Sequence, residues 1–269
     1  MTQKPNLIGI AGRIGSGKDT VGAIIQFLMS TERCEKGILG KQHVTLEEWL
    51  SLDNLYNTAT AIASGWQVKK FAGKLKEVAS MLTGIPADQF EDQKFKDSYM
   101  SLSWSYSKQI TEFDGDEGED AYAFLPMTYR LFLQKLGTEA IRNGLHTNAW
   151  VNALFADYRD VKQSEDGLIH EKYGKHDITI VPNPILWSKY YPNWIITDLR
   201  FPNEFEAIKN RGGVCIKIDR QSSSNSKLLH PSETALDSHS FDYVLNNSGS
   251  IEDLVEEIKK MLVHFKLLD

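Results

Sequence analysis

Apolar and polar positions along the chain switch between strand-like and helix-like periods. Leu7–Ala11 is a short apolar run leading into glycine, which predicts a buried strand, and Lys18–Met29 then sets Val21, Ile24, Ile25 and Leu28 at helical spacing. Ser30–Gly65 carries little periodicity beyond one helical turn at Leu46–Leu50. Gln67–Phe71 predicts a second strand, and Gly73–Leu82 a helix with Leu75, Val78, Ala79 and Leu82 on one face. Tyr129–Asn143 and Ala149–Tyr158 read as helices, the first broken by Gly137, and Leu168–Val181 as a hairpin around Tyr173-Gly174-Lys175. A proline-punctuated loop leads to Pro192. Trp194–Thr197 is an apolar strand ending at Asp198, followed by a helix over Glu204–Lys209 and a buried strand over Gly213–Asp219. Ile251–Leu262 closes the pattern as an amphipathic helix. Strands alternate with helices and nothing repeats, so the expected class is α/β with a parallel sheet.

Composition narrows the function classes. The 269 residues exceed a minimal domain, and 41% hydrophobic with 25% charged residues is ordinary globular composition. Thirty Lys and Arg against 36 Asp and Glu give a formal charge of −6, which argues against sequence-independent binding to a nucleic-acid polymer. No run approaches the ~18 apolar residues of a membrane span. The N-terminal MTQKPNLIGIAG runs into a glycine loop instead of a signal peptide's apolar stretch. Two cysteines, Cys34 and Cys215, form neither a disulfide framework nor a metal motif, so the expected compartment is a reducing cytoplasm. Composition shifts between Pro86 and Pro126, where Glu112–Asp120 holds six acids in nine residues and reads as a solvated loop. It lacks the twelfth-position Glu of a calcium loop. His170, His176, His239 and His264 show no metal spacing and are expected at the surface.

The sharpest chemical signal is Gly12-Arg-Ile-Gly15-Ser16-Gly17-Lys18-Asp19-Thr20, a G-x-x-x-x-G-K pattern between a strand and a helix. Glycines let backbone N–H groups turn toward one anion, and the helix adds its positive end. Lys18 can reach outer phosphates. The usual hydroxyl after the lysine is replaced by Asp19 and moves to Thr20. ATP is the expected ligand of the loop.

Two further clusters carry chemistry. Asp198-Leu-Arg200-Phe-Pro-Asn-Glu204 follows an apolar strand, and the carboxyl ends of parallel strands are where ligands bind. Asp198 could position magnesium or a lysine, and Arg200 could clamp phosphate; alternatively Asp198 and Glu204 cap the next helix. Arg130, Gln134, Gly137 and Thr138 fall at helical steps that suit a monophosphate and a base edge, and Trp150 beyond them could stack on a base or sit in the core. Arg220, after a buried strand, could lie on the adenine or phosphate side, and Ser222–Ser226 reads as a loop.

These motifs together resemble the viral and bacteriophage deoxynucleoside monophosphate kinases. The similarity runs through Gly12–Thr20, FAGKLKE (Phe71–Glu77), RLFLQKLGTE (Arg130–Glu139), Trp150, TDLRFPNE (Thr197–Glu204) and HPSE (His230–Glu233). Animal-type phosphomevalonate kinases are more distantly similar. The resemblance implies a P-loop, nucleoside-monophosphate-kinase-like three-layer fold over 1–269, with a lid and acceptor insertion at 86–128 and a hairpin excursion at 163–192. It implies that Gly12, Gly15, Ser16, Gly17, Lys18, Asp19 and Thr20 hold ATP phosphates and Mg²⁺, with Thr20 and Asp19 the magnesium ligands, so that ATP is the co-substrate and Mg²⁺ the cofactor. Leu75, Lys76, Arg130, Gly137, Thr138, Trp150, Asp198, Arg200 and Glu204 match acceptor-site positions, with Lys18, Arg130, Asp198 and Arg200 the catalytic set. A basic residue of the insertion, Lys94 or Lys96, also belongs to that site, and His230 is a further candidate.

The expected reaction is ATP-dependent phosphorylation of a deoxynucleoside 5′-monophosphate to the diphosphate. Another phosphorylated small molecule, such as phosphomevalonate, is the alternative acceptor, and a non-catalytic nucleotide-binding module the alternative of another class. A small-molecule acceptor and a homodimer are the expected partners, with host cytoplasm as the location.

Overall fold

The computed structural model describes residues 4–38, 40, 44–52, 57–109, 122–158, 169–173, 176–180, 191–220 and 234–269. The acidic loop Glu112–Asp120, the Gly174 turn, the loop at 181–190, Ser222–Ser226 and His230–Glu233 lie outside the described residues.

The chain runs β1 (Leu7–Ala11), α1 (Lys18–Glu35), α2 (Leu46–Leu50), α3 (Asn57–Ser64), β2 (Gln67–Lys69) and α4 (Phe71–Thr83). Next come α5 (Gln93–Asp97), the strands β3 (Tyr106–Gln109) and β4 (Tyr122–Leu125), and α6 (Tyr129–Gln134). α6 continues into a π-helical stretch at Lys135–Asn143, and α7 (Ala149–Phe155) follows. The remaining elements are β5 (Ile169–Tyr173), β6 (His176–Ile180), β7 (Trp194–Leu199), α8 (Pro202–Lys209), β8 (Val214–Asp219), β9 (Tyr243–Asn246) and α9 (Ile251–His264). Packing divides the chain into two units, one formed by Met1–Phe71 with Val151–Asp269 and the other by Ala72–Trp150.

The first unit is built on a five-stranded parallel sheet in the order β2-β7-β1-β8-β9. Strand alternation sends Ile8 and Ile10 of β1 to one face, where they pack with Ile24 and Ile25 of α1 and Ile258 and Leu262 of α9. Leu7 and Ala11 face the other way, against Phe155 of α7 and Phe205 and Ile208 of α8. Both faces are covered, so β1 is wholly buried and reads as a continuous apolar run. Each fully buried isoleucine contributes roughly 1.5–3 kcal/mol relative to exposure. Gly9 permits the close approach of α8: a Cβ there would meet Ile208 Cδ1 at 2.5 Å. This three-layer α/β arrangement is that of a P-loop kinase-like fold.

The second unit centres on Ala79, Phe90, Met100, Met127, Phe132 and Leu133. Phe95 stacks on Tyr129 with ring centroids 4.3 Å apart. The β3–β4 hairpin, absent from the sequence reading, lies here.

Several boundaries differ from the periodicity. α1 runs past Met29 to Glu35 because Ser30 and Arg33 continue its buried face. Gly137 does not break its helix: the backbone widens into π geometry, and a Cβ at that position would meet Leu75 Cδ2 at 2.8 Å. The edge strand β9 has only four residues, of which Leu245 is fully buried and Val244 is 58% exposed, too little pattern to register alone.

Candidate active site

The glycine loop joins the carboxyl end of β1 to α1 at the centre of the sheet. Gly15 and Gly17 adopt φ of 75° and 89°, which favours residues without a Cβ. The loop's carbonyls are held from several directions. Lys18 Nζ donates to Gly12 O at 2.6 Å and Arg13 O at 2.8 Å. Arg220 Nη1 donates to Gly15 O at 3.0 Å, and Asn247 Nδ2 to Ser16 O at 2.8 Å. Across a trans peptide the next N–H points the opposite way, so pinning Ser16 O turns the Gly17 N–H away from Asn247. Ser16 is 4% exposed, and its hydroxyl has no partner among the described residues. A buried orphan hydroxyl beside turned amides is what a phosphate oxygen would satisfy.

Two hollows flank the loop in the first unit. One, of about 360 Å³, is lined by Gly12, Arg13, Arg200, Asp219, Arg220 and Phe241 among others. The other, of about 210 Å³, is lined by Gly17, Thr20, Asn247, Ser250 and Leu254 and again by Arg220. Arg220 and Asn247 thus fix the loop from the ends of β8 and β9. Sequence reading placed Arg220 only loosely and missed Asn247.

Asp19 is held from two sides: Thr197 Oγ1 donates to Oδ1 at 2.5 Å and Lys70 Nζ to Oδ2 at 3.1 Å. Each carboxylate oxygen keeps a second lone pair. The hydroxyl of Thr20 and this carboxylate are hard oxygen donors of the kind magnesium takes together with phosphate and water. No cluster of three His, Cys, Asp or Glu is placed to bind a metal among the described residues.

The D-L-R-F-P-N-E segment divides its labour. Asp198 Oδ1 accepts from the Phe71 N–H at 2.8 Å, so it caps the start of α4 rather than the following helix. Glu204 is 2% exposed, and its Oε2 accepts from the N–H groups of Arg200 and Phe201 at 2.9 and 3.0 Å. Glu204 is thereby the brace of the turn. Arg200 is the exposed member.

The second unit gathers its own cations. Lys76 pairs with Glu91. Arg130 donates through Nε to Asp97 at 2.6 Å and through Nη2 to Gln93 at 3.0 Å, and the bond to Asp97 holds its guanidinium above its ordinary pKa. Lys96 is half-buried; burial first, then the neighbouring Lys76, lowers its pKa from the usual lysine value. Arg130 acts on it in the same sense, so Lys76, Lys96 and Arg130 form one electrostatic cluster. Lys94 is exposed on the same short helix. Thr138 is exposed. Trp150 is 8% exposed, and its Nε1 donates to Gly137 O at 2.8 Å. The indole therefore braces the π-helical stretch.

No protein-family model matches the chain. A provisionally named deoxynucleotide monophosphate kinase of Acanthamoeba polyphaga mimivirus is 32% identical over 139 residues, 49% of this chain and 59% of that protein. The deoxynucleotide monophosphate kinase of Enterobacteria phage T4 is 25% identical over 169 residues, 58% of this chain and 59% of the phage protein. This chain is a relative of the viral deoxynucleotide monophosphate kinases. That of Escherichia phage RB69 is 26% identical over 133 residues, 49% of this chain and 44% of the other. The chain thus spans about three fifths of the first two kinases' length. No helix among the described residues is long and apolar enough to cross a membrane.

Proposed function

We propose that the protein transfers the γ-phosphoryl group of ATP to a deoxynucleoside 5′-monophosphate. The observation that carries this reading is the pinned glycine loop, with Lys18 on its carbonyls and the orphan Ser16 hydroxyl buried within it. That loop holds the triphosphate, and the hollow bounded by Gly17, Thr20, Asn247 and Ser250 takes the nucleoside end. Thr20 and Asp19 hold Mg²⁺, which neutralises charge on the phosphates when bound.

An oxygen of the acceptor phosphate attacks the γ-phosphorus in line. The bond from that phosphorus to the β,γ-bridging oxygen breaks, and ADP leaves with the electron pair. The acceptor oxygen is already ionised, so no general base is needed. Lys18 stabilises charge on the transferred group, and Arg200 offers a guanidinium fork to phosphate. Lys76, Lys96 and Arg130 bind the acceptor's phosphate, Lys96 being the insertion's contribution. Asp198, Glu204, Gly137 and Trp150 hold backbone in place. Leu75 fixes the π-helical stretch that carries Thr138.

ADP release measured across deoxynucleoside monophosphates, ribonucleoside monophosphates and phosphomevalonate tests this. ADP formation stimulated by deoxynucleoside monophosphates supports it. A response to phosphomevalonate alone, or ATP binding with no acceptor-stimulated ADP, overturns it.

A further inference from the structure

Lys70 sits between β2 and α4 and belongs to none of the motifs singled out in the sequence. Its backbone is fixed from the next residue, where the Phe71 N–H donates to Asp198 and the Phe71 ring packs edge-on against Phe155. Its ammonium donates to Asp19, whose other oxygen takes the Thr197 hydroxyl. The two contacts on Asp19 differ in kind. Thr197 is 1% exposed and its bond is short, so that side belongs to the framework. The Lys70–Asp19 pair has side chains 29% and 68% exposed, and solvent-screened pairs of this sort hold weakly. The lysine can exchange partners while Asp19 stays in place.

Its position indicates the partner. Asp19 is in the first turn of α1, where free N–H groups and the helix's positive end face an anion. The nucleoside hollow lies on the β8–β9 side of the loop, bounded by Arg220, Asn247 and Ser250. Across the sheet order β2-β7-β1-β8-β9, Thr197 and Lys70 lie on the opposite side, at the ends of β7 and β2. A triphosphate with its nucleoside near β9 therefore runs its terminal phosphate toward β7 and β2. That phosphate carries the most negative charge and lies farthest from the nucleoside. A four-carbon stem lets the ammonium move several ångströms without moving the backbone.

We infer that Lys70 is a residue that positions the terminal phosphate, resting on Asp19 in the free protein and transferring to the γ-phosphate when ATP binds. This rests on the reading that the loop holds ATP, and it adds a cation to Lys18 without changing which bonds form or break.

Equilibrium calorimetry with MgATP and MgADP tests it without turnover. Lys70→Met should weaken MgATP binding roughly tenfold and leave MgADP within about twofold, because only ATP carries the phosphate in question. Lys70→Arg should keep most of the preference for ATP, and both variants should melt with the wild type. Equal weakening of both nucleotides, or no change in either, overturns the inference. Wild-type protein that binds ATP yet phosphorylates no deoxynucleoside monophosphate refutes the proposed reaction, while the ATP-to-ADP comparison still decides Lys70. Failure of wild type to bind either nucleotide removes both.

Discussion

The two units hold their cations in different ways. In the first, the glycine loop is pinned by donors from β8 and β9, and the turn after β7 is braced by the buried carboxylate of Glu204. These contacts are in place without a ligand. In the second, Arg130 rests on Asp97, whose side chain is 62% exposed, and Lys76 on Glu91, which is 39% exposed. The Arg130–Asp97 pair, exposed on both sides, adds about 0–1 kcal/mol and exchanges readily for a phosphate, whereas the Lys76 side chain is only 12% exposed. The glycine loop is thus organised in advance for an anion, whereas Arg130 in the second unit rests on a replaceable acid, as Lys70 does beside the loop. Removing framework from the first should cost stability or ATP binding; removing cations from the second should cost acceptor affinity alone.

Lys18→Ala should give the largest effect, lowering turnover by about 10²–10³-fold with the melting temperature nearly unchanged. Turnover close to wild type would sever the loop from the chemistry. Glu204→Ala should destabilise by about 2–3 kcal/mol in urea unfolding, since the N–H groups of Arg200 and Phe201 lose their acceptor. An unchanged unfolding midpoint would show that the turn holds itself.

Next in size is the contrast between two lysines two residues apart. Lys96→Ala should raise the acceptor KM roughly tenfold, whereas Lys94→Ala should change it less than twofold. The pH dependence has a definite sign. Burial and Lys76 lower the pKa of Lys96 below the ordinary 10.5, so its charge is lost earlier as pH rises. Since the charged form binds phosphate, the acceptor KM should climb on the alkaline side below that value, and Lys96→Arg should flatten the climb. Equal effects from both lysines would dissolve the cluster. Asn247→Ala should weaken ATP binding by about two- to tenfold through loss of the Ser16 carbonyl anchor, leaving the acceptor KM in place. Asp97→Asn should have the smallest effect, under about 1 kcal/mol of stability.

How much of this was legible depended on the range of the interaction. The strand, glycine loop and helix around Gly12–Thr20 could be read because their pattern is local and unbroken. The D-L-R-F-P-N-E run was visible as a motif, yet its division of labour was not. Asp198 reaches the Phe71 N–H, 127 positions away in the chain, while Glu204 turns back on Arg200 and Phe201. Asn247 escaped notice because its partner is Ser16, 231 positions earlier, and asparagine in a polar loop carries no signal of its own. Spacing alone could not separate Lys94 from Lys96, which differ in burial, the first exposed and the second half-buried. Trp150 could be read as a core residue or a stacking surface, but the bond from its N–H to Gly137 O, 13 positions earlier, carries no local signal. The π-helical stretch was equally hidden, since widening of a helix around Gly137 depends on Leu75 from α4.

Phosphorus NMR of the wild-type protein with MgATP and deoxynucleoside monophosphates tests the central claim most directly. Phosphoryl transfer predicts loss of the γ-phosphate signal of ATP, with the two phosphates of a deoxynucleoside diphosphate rising in step with ADP. ATP that stays intact, or inorganic phosphate rising with no deoxynucleoside diphosphate, would contradict it.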